Sequence, residues 1–183
     1  EVTPHHLYYD TSYITDDTSI HLQFARNLMR GGGWSFTHGE PTYGFTSALW
    51  VALLAGAGLL GLDLIVAAKL LGMVFTWASI GLFHAVAARI VPTRHGRIAA
   101  TLVFCANAWL LRWALSGMET PLAVALVLCG MLFHLRERAR EGLPVVSGLC
   151  WGLAAVARPE CLGVVPLAAL DLLLFGGKRR PLR

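Results

Sequence analysis

From Phe45 onward the chain is a series of apolar runs, 45–61, 64–90, 98–115, 120–135, 144–157 and 161–176, separated by short polar punctuation. That pattern leaves few folds open. With 56% hydrophobic and 14% charged residues in a chain of 183, there are too few charges to clothe a soluble globule. A helix of about 20 apolar residues crosses a hydrocarbon core of roughly 30 Å, which is the scale of these runs. The expected fold is all-α, a polytopic membrane helical bundle. Several runs are short for a crossing and call for local thinning, flanking polar anchors or shelter inside the bundle. No internal repeat or low-complexity tract interrupts them, and Gly142 and Pro144 mark a break between helices, not a domain boundary. The chain opens on Glu1 and runs straight into polar sequence without a signal peptide, so it reads as part of a longer protein with a transmembrane helix upstream.

Residues 1–44 are the one long polar segment, and 1–61 is expected to form an extracytoplasmic loop. Within it, Ile20, Phe24 and Leu28 recur on one helical face and the glycines Gly31 to Gly33 stop the pattern, which predicts a helix over 18–30. The opposite face carries Gln23, Arg26, Asn27 and Arg30. Such a stripe suits a helix lying in the membrane interface and equally one packed on other helices. The run 45–61 reaches only about 25 Å and reads as a juxtamembrane or re-entrant helix. Residues 62–177 then hold the spanning helices, and 178–183 a basic cytoplasmic tail.

Charge placement sets the expected orientation. The net charge of +4 comes from loop clusters: Arg89, Arg94 and Arg97; Arg136, Arg138 and Arg140; Lys178, Arg179, Arg180 and Arg183. Because cytoplasmic loops concentrate Lys and Arg, all three belong on one side, and nucleic acid is not the partner they imply. Asp10, Asp16, Asp17, Glu40, Asp63, Glu119 and Glu160 then gather on the external face and line a cavity there. The four cysteines, Cys105, Cys129, Cys150 and Cys161, show no CxxC or Cys/His ligand spacing, so neither a disulfide nor a zinc site is expected.

Asp16 and Asp17 can satisfy the free N–H groups of a helix start, or serve as a general base with a charged neighbour or metal ligand. A divalent cation (Mg, Mn or Ca) is the one cofactor that pair leaves open. Lys69, early in 64–90, either snorkels to the surface or holds an anionic group such as a lipid phosphate. Arg112, between Trp109 and Trp113, has the same two readings. Arg158 and Glu160 flank Pro159 and close a turn as an ion pair, or Arg158 grips phosphate with its fork of donors. Glu119 caps the helix beginning at Thr120 and Pro121, or faces the cavity. Asp171, alone in the last run, implies a partner outside this chain. His5, His6, His21 and His38 lack a ligand pair such as HExxH and are not assigned a metal.

Taken together, TDDTSIHLQFARNLMRGGGWSF, GEPTYGFTSALW, ALSGMETPL and LAAVARPECLGVVPL resemble the serial signatures of polytopic bacterial glycosyltransferases of the GT-C superfamily. The likeness is nearest to the branch of mycobacterial terminal arabinofuranosyltransferases and related membrane transferases. It spans roughly residues 10–176, the N-terminal part of the conserved module. The resemblance implies an extracytoplasmic first loop carrying a catalytic Asp, with Asp16 the base and Asp17 its neighbour. It also implies a polyprenyl-phosphate-linked sugar as donor, an extracytoplasmic glycan, lipid or protein as acceptor, membrane lipids as surroundings, and inversion at the anomeric carbon. Lys69 matches a position usually basic in such relatives. This chain departs from the pattern at Tyr43, where many carry an acid, at Gln23, where Arg is common, and at Cys161, in place of Gly. A transporter or lipid flippase is the alternative reading of intramembrane charge, although no symmetry between halves is visible. A noncatalytic assembly subunit is the third.

Overall fold

The computed structural model describes residues 15–37, 40, 42, 44–139 and 143–175. Asp10, His5, His6, His38, Tyr43, Arg140, Gly142 and the tail from Lys178 to Arg183 lie outside the described residues. The chain is helical, with no strand among the described residues. Its elements are α1 (Asp16–Met29), α2 (Ala48–Leu59), α3 (Leu64–Ile90), α4 (Arg94–Cys105), α5 (Ala108–Ser116), α6 (Thr120–Ala139), α7 (Val145–Ala157) and α8 (Val164–Phe175), with a 3-10 turn at Pro159–Gly163 between the last two.

By length and composition α3 and α6 can cross a membrane, and the pair α4–α5 adds a third crossing if it counts as one broken span. Large apolar side chains point outward along these helices, among them Val74, Trp77, Leu102, Val103 and Leu115. In water such a surface is costly, and in lipid it is the ordinary outer face of a bundle.

The run 98–115, expected as a single helix, is two helices bent by 48°. Asn107 is the physical reason. Its side-chain oxygen accepts the backbone N–H groups of Trp109 and Leu110 at 3.1 and 3.2 Å, starting a new helix inside an apolar run. The last run is divided in the same way, since Pro159 opens a 3-10 turn before α8 begins.

The core lies where α1 and α2 close over the first turns of α3 and α6. Phe24, Ala25, Trp50, Val51, Leu54, Ala67, Ala68, Leu122 and Ala157 are buried together there. At 12 residues, α2 measures about 18 Å and does not reach across a bilayer. Its Trp50 is fully buried and donates its indole N–H to the Gly117 carbonyl at 3.2 Å. Helix α1 is packed into this core: Thr18, His21, Leu22, Phe24, Ala25 and Asn27 are buried, while Ile20 and Leu28 are half-buried. Asn27, expected on the polar face, is buried and donates to the carbonyls of Ser35 and Phe36, tying the following loop back onto the helix. Gln23 donates to the Phe36 carbonyl as well.

Candidate functional site

The turn Ser116–Glu119 between α5 and α6 is the hinge of the site. Gly117 ends α5 at φ 78°, a left-handed conformation that glycine adopts without strain. A Cβ there would also press on Ala68 at 3.1 Å and Thr18 at 3.3 Å. The turn is therefore pinned against α3 on one side and α1 on the other. Buried Thr18 adds a hydrogen bond, donating to the Ser116 carbonyl at 2.9 Å.

This packing carries Glu119 inward. The residue is 2% exposed, and its two carboxylate oxygens face different neighbours. Oε2 lies 3.7 Å from Nδ1 of His21, itself 4% exposed. Oε1 lies 3.6 Å from Nη1 of Arg158. That same guanidinium nitrogen donates to the Thr120 hydroxyl at 2.7 Å, and Nε of Arg158 stands 3.7 Å from Glu160. The ion-pair reading of the Arg158–Pro159–Glu160 turn thus has a geometric counterpart, and the guanidinium also reaches across to α6.

Neither His21 Nδ1 nor Glu119 Oε2 has a hydrogen-bond partner, and the buried Ser47 hydroxyl shares that condition. Buried polar atoms ordinarily find partners, so two facing orphans in one place are informative. Burial pushes the Glu119 carboxyl above its ordinary range; its own backbone amide and Arg158 pull the other way, and Asp17 and Glu160 add to the rise. Burial lowers the His21 imidazole, with Asp17 opposing and Arg158 reinforcing that shift. Both groups are biased toward their neutral forms by the same cause, desolvation.

Of the residues singled out in the sequence, the structure brings Asp17, Glu119, Arg158 and Glu160 into one electrostatic neighbourhood. Asp17 and His21 are four residues apart and share a face of α1. Asp16 and Asp17 lie in the first turn of α1, both exposed, after an N-cap Thr15 whose side chain makes no capping bond. Lys69 is half-buried on α3, next to Ala68, and makes no ion pair among the described residues. Asp63 is engaged elsewhere: its carboxylate caps α3 by accepting the N–H groups of Ile65 and Val66. Arg112 sits over the rings of Trp109 and Trp113, at 5.3 and 5.8 Å from their centroids.

The expectation that Asp171 reports a partner outside the chain is corrected. Arg138 donates to both of its oxygens at 2.8 and 2.7 Å, and His134 Nε2 lies 3.1 Å away. Sequence reasoning also passed over His21. The spacing Asp17–His21 was the available signal, but its partner Glu119 lies far along the chain and no local pattern joins them.

Adjacent exposed Asp16 and Asp17 would supply a divalent cation with one or two carboxylates, the number that Mg takes when a substrate phosphate completes its shell. Among the described residues no group of three or more His, Cys, Asp or Glu side chains gathers to hold a metal ion. No protein-family model, curated protein or solved structure matches this chain.

Proposed function

We propose that the protein is a membrane glycosyltransferase of the GT-C type, moving a sugar from a polyprenyl-phosphate donor to an extracytoplasmic glycan, lipid or protein in the building of a bacterial cell envelope. One observation carries this reading. The segments that resemble GT-C signatures, distant in sequence, touch one another at a single end of α6. Thr18 of the DDTS segment bonds the Ser116 carbonyl, Trp50 of TSALW bonds the Gly117 carbonyl, and Arg158 of the RPE turn bonds Thr120.

The chemistry needs an acid–base group, an anion holder and a membrane. The donor's tail dissolves in the bilayer beside α3 and α6, while its phosphate meets the polar cluster at their first turns. Asp16 takes the proton from an acceptor hydroxyl as that oxygen attacks the anomeric carbon. The bond from this carbon to the phosphate oxygen breaks, and the electron pair leaves with the lipid phosphate, inverting the centre. Arg158, with its fork of donors, and Lys69, if its flexible stem swings to the same level, neutralise charge on the leaving group. Asp17 and Glu160 set the field around them. A divalent cation on Asp16 and Asp17 would supply further neutralisation of phosphate charge. Alignment of hydroxyl and anomeric carbon supplies much of the acceleration.

In this reading the cluster faces outside the cytoplasm and the arginines at the C-terminal ends of α3 and α6 face inward, in the bacterial inner membrane. The test is transfer of radiolabelled sugar from polyprenyl phosphate to candidate acceptors by the full-length protein. Asp16→Asn is expected to abolish transfer while preserving expression, and full activity in that variant removes Asp16 from the mechanism. Binding of the donor without turnover in the parent protein favours a flippase or an assembly subunit instead.

A further inference from the structure

Three features compete for a second role. Cys129 and Cys150 bring their sulfurs to 3.7 Å between α6 and α7, and Arg112 lies between two tryptophans at the bent α4–α5 pair. Neither shows what it would act on. The orphaned pair at the base of the candidate site goes further, because its two facing buried atoms have no other partner.

Were Glu119 ionised, Arg158 would have every reason to close on it. Charge-assisted N–H···O bonds run at about 2.7–2.9 Å. The Arg138–Asp171 contact in this same protein meets that standard at 2.7 Å. Arg158 instead stays 3.6 Å from Glu119 and spends its shortest bond, 2.7 Å, on the neutral hydroxyl of Thr120. On the other side of Glu119, Oε2 and His21 Nδ1 face each other at 3.7 Å with no other partner. With no proton between them, the carboxylate oxygen and an unprotonated Nδ1 would face each other as two acceptors and both would stay unsatisfied. A single proton between them satisfies both, and a modest side-chain rotation closes the gap to about 3 Å. The charged groups that reach the pair are Asp17 from α1 and Arg158 and Glu160 from the turn after α7.

We propose that Glu119 carries a proton on Oε2 and donates it to Nδ1 of a neutral His21, and that this buried pair positions Arg158, which is then paired with the exposed Glu160 and not with Glu119, for the phosphate of a polyprenyl-phosphate lipid. The ligand class rests on the proposed function; the proton on Glu119 does not. Glu119 and His21 are positioning residues in this arrangement. Arg158 touches the ligand.

The test uses the full-length protein in lipid nanodiscs and has two arms. Infrared difference spectra reveal whether a protonated carboxyl C=O band is present at neutral pH and lost in Glu119→Gln. Binding of farnesyl phosphate, farnesol and inorganic phosphate is measured on the same samples. The expected results are a band that disappears with Glu119→Gln, and farnesyl-phosphate affinity in that variant within about threefold of the parent, because the amide can donate where the acid did. Glu119→Ala is expected to weaken binding by about tenfold, since it orphans His21 and frees Arg158. His21→Asn, which keeps a polar acceptor near the Nδ1 position, should retain more affinity than His21→Ala and keeps the test sound if the alanine variants do not fold. Arg158→Ala should erase the preference for farnesyl phosphate over farnesol.

Absence of the band, or a Glu119→Gln variant as weak as Glu119→Ala, overturns the neutral pair. Inorganic phosphate binding as tightly as farnesyl phosphate overturns the lipid as its source. A band present without any farnesyl-phosphate binding supports the pair and overturns the polyprenyl-phosphate reading on which its ligand rests.

Discussion

The two ends of α6 carry charged clusters of similar composition and opposite character. At its C-terminal end Asp171 is held at 2.7–3.1 Å by Arg138 and His134. One turn away Glu137 accepts the N–H groups of Val146 and Ser147 and the Ser147 hydroxyl, capping α7. At the N-terminal end the same residue types, an arginine, a histidine and carboxylates, stand 3.6–3.7 Å apart and leave two buried atoms without partners. A saturated network fastens helices together and has no capacity for a ligand. An unsaturated one held rigidly by Gly117, Thr18 and Trp50 keeps capacity in reserve, at a cost in stability that the rest of the bundle must offset.

Matched neutralisations at the two ends test that contrast. Asp171→Asn should have the largest effect. It removes the charge that pairs Arg138 and His134 and should destabilise by about 2 kcal/mol, below the roughly 3–5 kcal/mol of a fully buried pair because Asp171 keeps some solvent contact. In thermal unfolding that is a fall of about 5 °C for a chain of this size. Donor binding at the opposite end should be untouched below the melting point. A change under 1 °C would mean that the tight geometry at Asp171 contributes little and that the contrast between the two ends is one of distance only.

Glu137→Ala comes next. It strips the side-chain acceptor from the first turn of α7, a loss of about 1 kcal/mol. Because α7 ends at Arg158, amide hydrogen exchange should rise at Val146 and Ser147 first. Exchange rising equally at Ala157 would show that the two clusters communicate through α7, and that neither is independent of the other.

Much of the scaffold was legible in the chain because period and length report it directly. Leu64–Ile90 is an uninterrupted apolar stretch, and Thr120–Ala139 begins at the Thr-Pro pair that marks a helix start. The break at Asn107 was harder to read, since one polar residue in a lipid-grade run can be a cap or a buried hydrogen-bonding group and only the backbone decides. The site was half legible. Acidic and basic residue types flanking turns pointed to Asp17, Glu119, Arg158 and Glu160. Their mutual arrangement depends on α1 packing on α2 and against the Ser116–Glu119 turn, which no local pattern encodes. His21 was given no role, and Asp171 assigned to an absent partner, for that same reason: a polar side chain inside a bundle is understood only with its partner, and these come from distant parts of the chain, Glu119 from the turn before α6 and Arg138 and His134 from α6 itself.

The smallest effect expected is also the one that separates the two ends most sharply. Glu119→Gln, the counterpart of Asp171→Asn, should change stability at mildly acidic pH by less than about 0.5 kcal/mol, because a buried group already neutral loses no charge interaction. Its signature is in the pH dependence. The folded-state pKa of Glu119 is raised above the ordinary 4.5, so its contribution is fully present below 4.5 and is lost as pH rises through the folded value. The His21 value is lowered from 6.5, so its contribution is present above 6.5 and is lost as pH falls through the folded value. Thermal unfolding of parent and variant should therefore run in parallel below pH 4.5, where Glu119 is protonated in both folded and unfolded states. As pH rises above 4.5 and through the folded value of Glu119, the parent should lose stability relative to the variant, since glutamine has no proton to lose. Parallel curves at every pH would mean that folding does not raise the Glu119 carboxyl, and that the N-terminal cluster is not set apart from the one at Asp171 by a neutral acid.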